Sequence, residues 1–278
     1  MSDHWNSTQG LPQVLTEKLG AGEHEMKLVQ SLLELYEEEG LLSDEGEARP
    51  LFTDCDRCSD CWTAGDKRPD VGDPAGIAVP WVGPGYKKSR LCVAGLNGNK
   101  YGNLGATWWI TKCDIEARRG HAEWAGEPTS VHPFYPHTAR FIAGLLTETS
   151  DFDPNAPVVG SECADLWDSV SFLEAVKCSP HSGSRGSPTP AMVENCPPRY
   201  LRQELMVLKP QVLLVVGKGA WRSVADALQI EPPEGDCLAA RGTSECLGES
   251  LEVFFVAHPA APAHFVRSVE EFADLRDQ

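Results

Sequence analysis

The side chains able to do chemistry in this chain stand in a few short segments. CDRCSDC (55–61) places Cys55, Cys58 and Cys61 at three-residue intervals, and thiolates so spaced suit a zinc ion or an iron–sulfur cluster. Asn97 and Gly98 follow the apolar run RLCVAGL (90–96), a pair that serves a tight turn or a close approach of backbone to ligand. His258 follows the apolar run LEVFFVA (251–257) and precedes Pro259; an imidazole there can give or take a proton near neutral pH. Lys218 and Arg222 open a helical stretch, where cations and free backbone N–H groups suit a phosphate, although solvated surface cations have the same pattern. The chain has neither a Walker-type loop nor GxGxxG, which counts against an ordinary nucleotide-binding enzyme. No lysine is placed for Schiff-base chemistry, so a lyase step is not expected.

These groups need a scaffold. Four runs, RLCVAGL (90–96), SVSFLEAVK (169–177), QVLLVVG (211–217) and LEVFFVA (251–257), are short, branched or aromatic, and without strict alternation. Such runs fit strands buried on both faces of a parallel sheet. Helical stretches separate them: 138–147 after a proline, 189–208 with Thr189 as N-cap and Pro190 at the first position, 220–228 and 263–275. A further helix is expected over 12–40, with Leu28, Leu32, Leu35 and Tyr36 at helical spacing and Gly40 as C-cap. The segments 43–88 and 105–135 read as mostly loop. Alternation of strand and helix predicts a three-layer α/β/α domain around a central, mainly parallel four-stranded sheet, spanning 46–278, with 1–45 as an acidic helical extension. In such sheets ligands bind beyond the carboxyl ends of the strands, which is where GLNGNKYG (95–102), KCSPHSGSRGSPTP (177–190), GKGAW (217–221) and HPAAPAHF (258–265) lie.

The chain has 278 residues and a formal charge of −17. That balance would argue against a nucleic-acid partner, since phosphates repel carboxylates, but it is unevenly spread. Residues 1–60 carry fourteen acids and four bases, a charge of −10, so the remainder is only mildly acidic and holds local bases. The run Glu34 to Glu39 reads as a solvated helix face. No apolar run approaches a membrane span, and the N-terminus lacks a signal-peptide pattern. A cytoplasmic protein without a membrane partner, acting as a monomer, is expected. In that compartment the ten cysteines are packing residues or ligands rather than disulfides.

VAGLNGNKYG, HPFYP (132–136), LEAVKCSP (173–180), PTPAMVENC (188–196), VLLVVGKGAW (212–221) and FFVAHPAA (254–261), in this order, resemble the uracil-DNA glycosylase superfamily, and within it the iron–sulfur branch of family 4 and 5 enzymes. The resemblance spans about residues 51–270 and implies a DNA glycosylase that flips a base and hydrolyses its glycosidic bond without lyase action. It implies a [4Fe–4S] cluster on Cys55, Cys58, Cys178 and Cys196, with Cys61 able to replace Cys55 and zinc as the alternative occupant. Cys92, Cys113, Cys163, Cys237 and Cys246 are left to packing. By the same resemblance Asn97 positions water, Gly95 and Gly98 admit the sugar and phosphate, Phe134 stacks on the flipped base, and His258 donates to base O2. The loop holding His264 would press into the minor groove, with Lys218 and Arg222 on phosphates.

Two positions depart from the family pattern. Glu174 stands where uracil-specific relatives carry an Asn that donates to uracil O4 and accepts from N3–H. An ionised carboxylate cannot donate to O4, but it can accept from the N4 amine of cytosine, and a buried, protonated one could reach cytosine N3. Asn99 replaces the Tyr that blocks C5-substituted bases. Together they imply a C5-modified cytosine as substrate, hydroxymethylated or glucosylated as in some phages, and a defence role. Uracil excision in base excision repair, a non-catalytic iron–sulfur DNA-binding protein and a zinc-bearing nucleotide-binding protein are the competing readings.

Overall fold

The structure is a computed structural model, and it describes residues 22–39, 80–97, 134–147, 152–153, 158, 160–177, 188, 190–259 and 261–277. The expected apolar runs form β2 (Leu91–Asn97), β3 (Ser171–Val176), β4 (Val212–Val216) and β6 (Leu251–Val256). They pair in parallel in the order β3-β2-β4-β6. Their near-complete burial explains why polar and apolar residues do not alternate along them.

Among the described residues the sheet has six strands, the four expected parallel ones at its centre. Two short antiparallel strands close its edges: β1 (Trp81–Val82) on β3 and β5 (Ala239–Ser244) on β6. β5 does alternate, its inner and outer positions taking turns along AARGTS, because only one face of this edge strand is covered. The order reverses at β2, which is flanked by β3 on one side and β4 on the other. The crevice beyond the end of β2 is therefore the topological switch point.

Helices lie on both faces. One layer holds α3 (Phe134–Leu146), α4 (Gly160–Asp168) and α8 (Pro262–Arg276). The other holds α1 (Glu23–Glu38), α5 (Pro190–Cys196), α6 (Arg202–Leu208) and α7 (Lys218–Leu228), with the single turn α2 (Tyr86–Ser89) beside α1. The stretch expected as one helix over 189–208 is interrupted by a π-helical turn, Pro197–Leu201. Two consecutive prolines there supply no N–H and crowd the preceding carbonyls. α3 begins at Phe134, four residues before the expected start, because Pro136 falls within its first turn, where a missing N–H costs nothing. Thr189 and Gly40, expected as caps, lie outside the described residues.

Helix α1 packs against α6. Val29, Leu32, Leu33 and Tyr36 are buried in the common core, while Glu34 and Glu38 remain exposed. Glu25 is buried and accepts from the Lys87 backbone N–H at 3.0 Å. At the other end Glu39 pairs with Arg199 at 2.8 Å. Cys92 packs with its sulfur 3.4 Å from the Tyr86 hydroxyl, and burial pushes its thiol up to about 12, an inert packing residue. Cys163 is buried and Cys237 and Cys246 are partly buried; Cys113 lies outside the described residues. No helix among the described residues is long and apolar enough to cross a membrane.

Candidate active site

At the carboxyl end of β2 the parallel register sets Gly95 beside Glu174 of β3, so both face the same side of the sheet. Glycine leaves the space that the glutamate side chain fills. A Cβ placed on Gly95 would lie 2.5 Å from Glu174 Oε2, so no larger residue fits while the carboxyl holds this position. Glu174 is 5% exposed, and Oε2 has no hydrogen-bond partner among the described residues. Burial pushes its acid up to about 8, with the Lys177 charge pulling the other way. At neutral pH the carboxyl is therefore mostly protonated, with one O–H to donate and one C=O to accept.

Phe172, two residues before Glu174, shares its face. The Phe134 ring packs 6.1 Å from Phe172 and 6.3 Å from Trp167, and its centroid lies 5.7 Å from the His258 imidazole. Phe134 and His258 thus meet across one wall of the same crevice. His258 is exposed. Its ring packs against Gly217, whose Cα would carry a Cβ 3.3 Å from His258 Cδ2 and whose φ of +96° also requires glycine. Asn97 is the last residue of β2, its Cα level with Val176.

A residue missed in sequence reasoning holds the His258 segment. His137 is one helical turn after Phe134 on α3. Its Nδ1 donates to the Pro259 carbonyl at 2.6 Å, and its ring stacks on Phe265 at 3.7 Å and 10°. The three-residue spacing from Phe134 was the available signal, but the contact is with a segment more than a hundred residues away.

Lys218 and Arg222 lie one turn apart on α7, both exposed. α7 starts beside the end of β2, since a Cβ on Gly219 would lie 2.9 Å from Leu96 Cδ2. The Lys218 ammonium sits 5.5 Å over the Trp221 ring, and Arg222 is 3.9 Å from Asp226. His264 is exposed in the first turn of α8. Cys196 is buried on the last turn of α5, a helix that packs on β3. Gly98, Asn99, Cys55, Cys58, Cys61 and Cys178 lie outside the described residues.

A family model described as the uracil DNA glycosylase superfamily matches residues 120–273, more than half of the chain. The chain belongs to the uracil DNA glycosylase superfamily. No curated protein matches the chain. The superfamily match takes in Phe134, Glu174, Cys178, Cys196, Lys218, Arg222 and His258, and begins after β2 and the CDRCSDC segment. It therefore speaks for the scaffold that carries Glu174 and His258, while Gly95, Asn97, Cys55 and Cys58 fall outside the matched stretch.

Proposed function

We propose that this protein is a monofunctional DNA glycosylase that flips out a C5-modified cytosine and hydrolyses its glycosidic bond. The observation that carries this reading is the buried Glu174 carboxyl, laid over Gly95 with an oxygen that has no partner among the described residues and with a raised pKa. A protonated carboxyl matches the cytosine edge: its C=O accepts from N4–H, and its O–H donates to N3. As the bond to C1′ breaks, the electron pair moves onto the base. A proton passed from Glu174 to N3 lets cytosine leave neutral, which is general acid catalysis. His258 would donate to O2, where charge also gathers, and Phe134 would stack on the base face. Asn97, an amide and too weak a base to ionise water, would orient the attacking water. Lys218, Arg222 and His264 would hold the phosphates and groove of the extruded strand.

Plain cytosine is excluded as a biological target because its removal would damage the host's own DNA, so selection must use the C5 substituent, and an Asn at position 99, smaller than the Tyr of the family pattern, would admit one. The role that follows is defence against DNA with modified bases. Uracil is the second reading: a neutral carboxyl carries the same donor and acceptor pair as an amide and can also meet O4 and N3–H, so the raised pKa serves both bases and the C5 substituent must separate them. Incubation with duplexes holding uracil, hypoxanthine, cytosine, 5-hydroxymethylcytosine and its glucosylated form, followed by alkaline cleavage, separates the two. Cleavage at the modified cytosines, with uracil at least about tenfold slower, is expected. Rapid uracil release with no action on modified cytosine overturns the cytosine reading, and no cleavage of any duplex overturns the glycosylase.

The same reading includes a [4Fe–4S] cluster on Cys55, Cys58, Cys178 and Cys196. The donor chemistry fits: Cys196 is a buried thiol on a helix packed against β3, and the chain leaving β3 reaches Cys178 one residue beyond Lys177. When bound, thiolate ligation would tie the 55–58 segment to the β3–α5 junction. Purified protein is expected to hold about four irons and to lose secondary structure at lower temperature after chelation. Stoichiometric zinc without iron would overturn the cluster.

A further inference from the structure

We propose that Tyr36, Glu204 and Lys177 form a buried positioning chain through which the N-terminal helix α1 holds the end of β3, and with it Glu174. This inference rests on the reading of Glu174 as the group that meets the base. The Tyr36 hydroxyl donates to Glu204 Oε1, and the Lys177 ammonium donates to Glu204 Oε2 at 2.6 Å. The same ammonium donates to the Glu174 backbone carbonyl. Tyr36, Lys177 and Glu204 are each 0% exposed. Burial raises the Glu204 acid well above its ordinary value, and polar groups buried this deeply persist only when hydrogen-bonded, so removing one group deprives the others of a bond that water cannot replace.

The geometry explains why this matters for the site. Lys177 and Glu174 lie three residues apart, so Lys177 starts on the sheet face opposite the crevice, where α6 supplies Glu204. The Glu174 Oε2 has no hydrogen-bond partner among the described residues, so the carboxyl is placed by its packing over Gly95 and by where β3 holds its backbone. That backbone is gripped from behind through its carbonyl by Lys177. Glu204 holds Lys177, and Tyr36 holds Glu204. Lys177 and Glu204 lie inside the superfamily match at 120–273, whereas Tyr36 lies outside it. Helix α1 thus completes a polar network within a domain whose matched sequence does not include it. The clips at Glu25 and Glu39 hold the helix in register for this contact.

Single-turnover excision with saturating enzyme tests the proposal, because that rate constant belongs to folded molecules whatever fraction of the sample is folded. The full chain and its variants Y36F, E204Q, E174Q and V29A would be assayed on duplexes holding 5-hydroxymethylcytosine and uracil. Affinity for a duplex with an abasic-site analogue is read alongside. Y36F and E204Q are expected to lower the rate constant on the faster substrate about five- to fiftyfold, with affinity within about twofold, as for a misplaced acid. V29A, which trims an apolar core residue of the same helix, should melt earlier with its rate constant unchanged. If E174Q is slow while Y36F and E204Q match wild type within about twofold, the positioning chain is overturned and the reading of Glu174 stands. If E174Q itself matches wild type, Glu174 does not serve the base, and both fall.

Discussion

Replacing Glu174 with glutamine is expected to slow release of the base by about 10²–10⁴-fold, the range in which a positioned general acid acts. Glutamine keeps the shape and can pair with the cytosine edge, but it has no proton to transfer. Binding should therefore change little while the rate constant falls. Wild-type excision should also decline as pH rises through about 8, where the acid form of Glu174 is lost, and this limb should vanish in E174Q.

Stability should move the other way. Burial raises the folded-state pKa from 4.5 to about 8. Above the lower value the unfolded chain releases a proton that the folded chain still holds. The favourable contribution is therefore whole at low pH and is lost as pH rises through the folded pKa. Glutamine removes that dependence. E174Q should melt like wild type near pH 4 and several degrees higher near pH 9, a gain on the order of a few kcal/mol. Thermal melts across pH, set beside excision rates, check both halves. A residue kept at a cost to stability is what a functional site leads one to expect. A variant as fast as wild type, or less stable at alkaline pH, would contradict this account.

Replacing His258 with alanine is the second large effect, a loss of about 10²–10³-fold in the rate constant, as for removal of one donor to a developing oxyanion. The imidazole is exposed and touches the Phe134 and Gly217 wall of the crevice, so its loss should cost less than about 1 kcal/mol of stability. Affinity for an abasic-site analogue should stay within about threefold, since the donor acts on charge that appears only as the bond breaks. A rate within about threefold of wild type would remove His258 from the chemistry.

Much of this architecture was legible in the chain. The four parallel strands, their intervening helices and the crevice at their carboxyl ends follow from short apolar runs without alternation, because a strand covered on both faces needs no polar side. The edge strands were harder. β1 has two residues, and β5, AARGTS, carries a glycine and two alanines that weaken any strand signal. Pro197 and Pro198 stand within the stretch expected as one helix, and the structure meets them with a widened π-helical turn in which Tyr200 and Leu201 are buried.

The oddity of a glutamate in an otherwise apolar run at Glu174, the His-Pro at 258–259 and the concentration of acidic charge in the first 60 residues were all determined by sequence alone. What each does was decided by tertiary structure. Gly95 makes room for Glu174 because two strands far apart in the chain share a register. His137 reaches Pro259 across 122 positions, and Tyr36 reaches Glu204 across 168. The acidic helix, whose Glu34 to Glu39 run reads as a solvated face, has its apolar face in the core and a hydroxyl on the buried Glu204 carboxyl. The physical reason is common to all of these. Periodicity along a chain records which face of an element is covered, whereas the pKa of a carboxyl and the partner of a buried charge depend on what covers it.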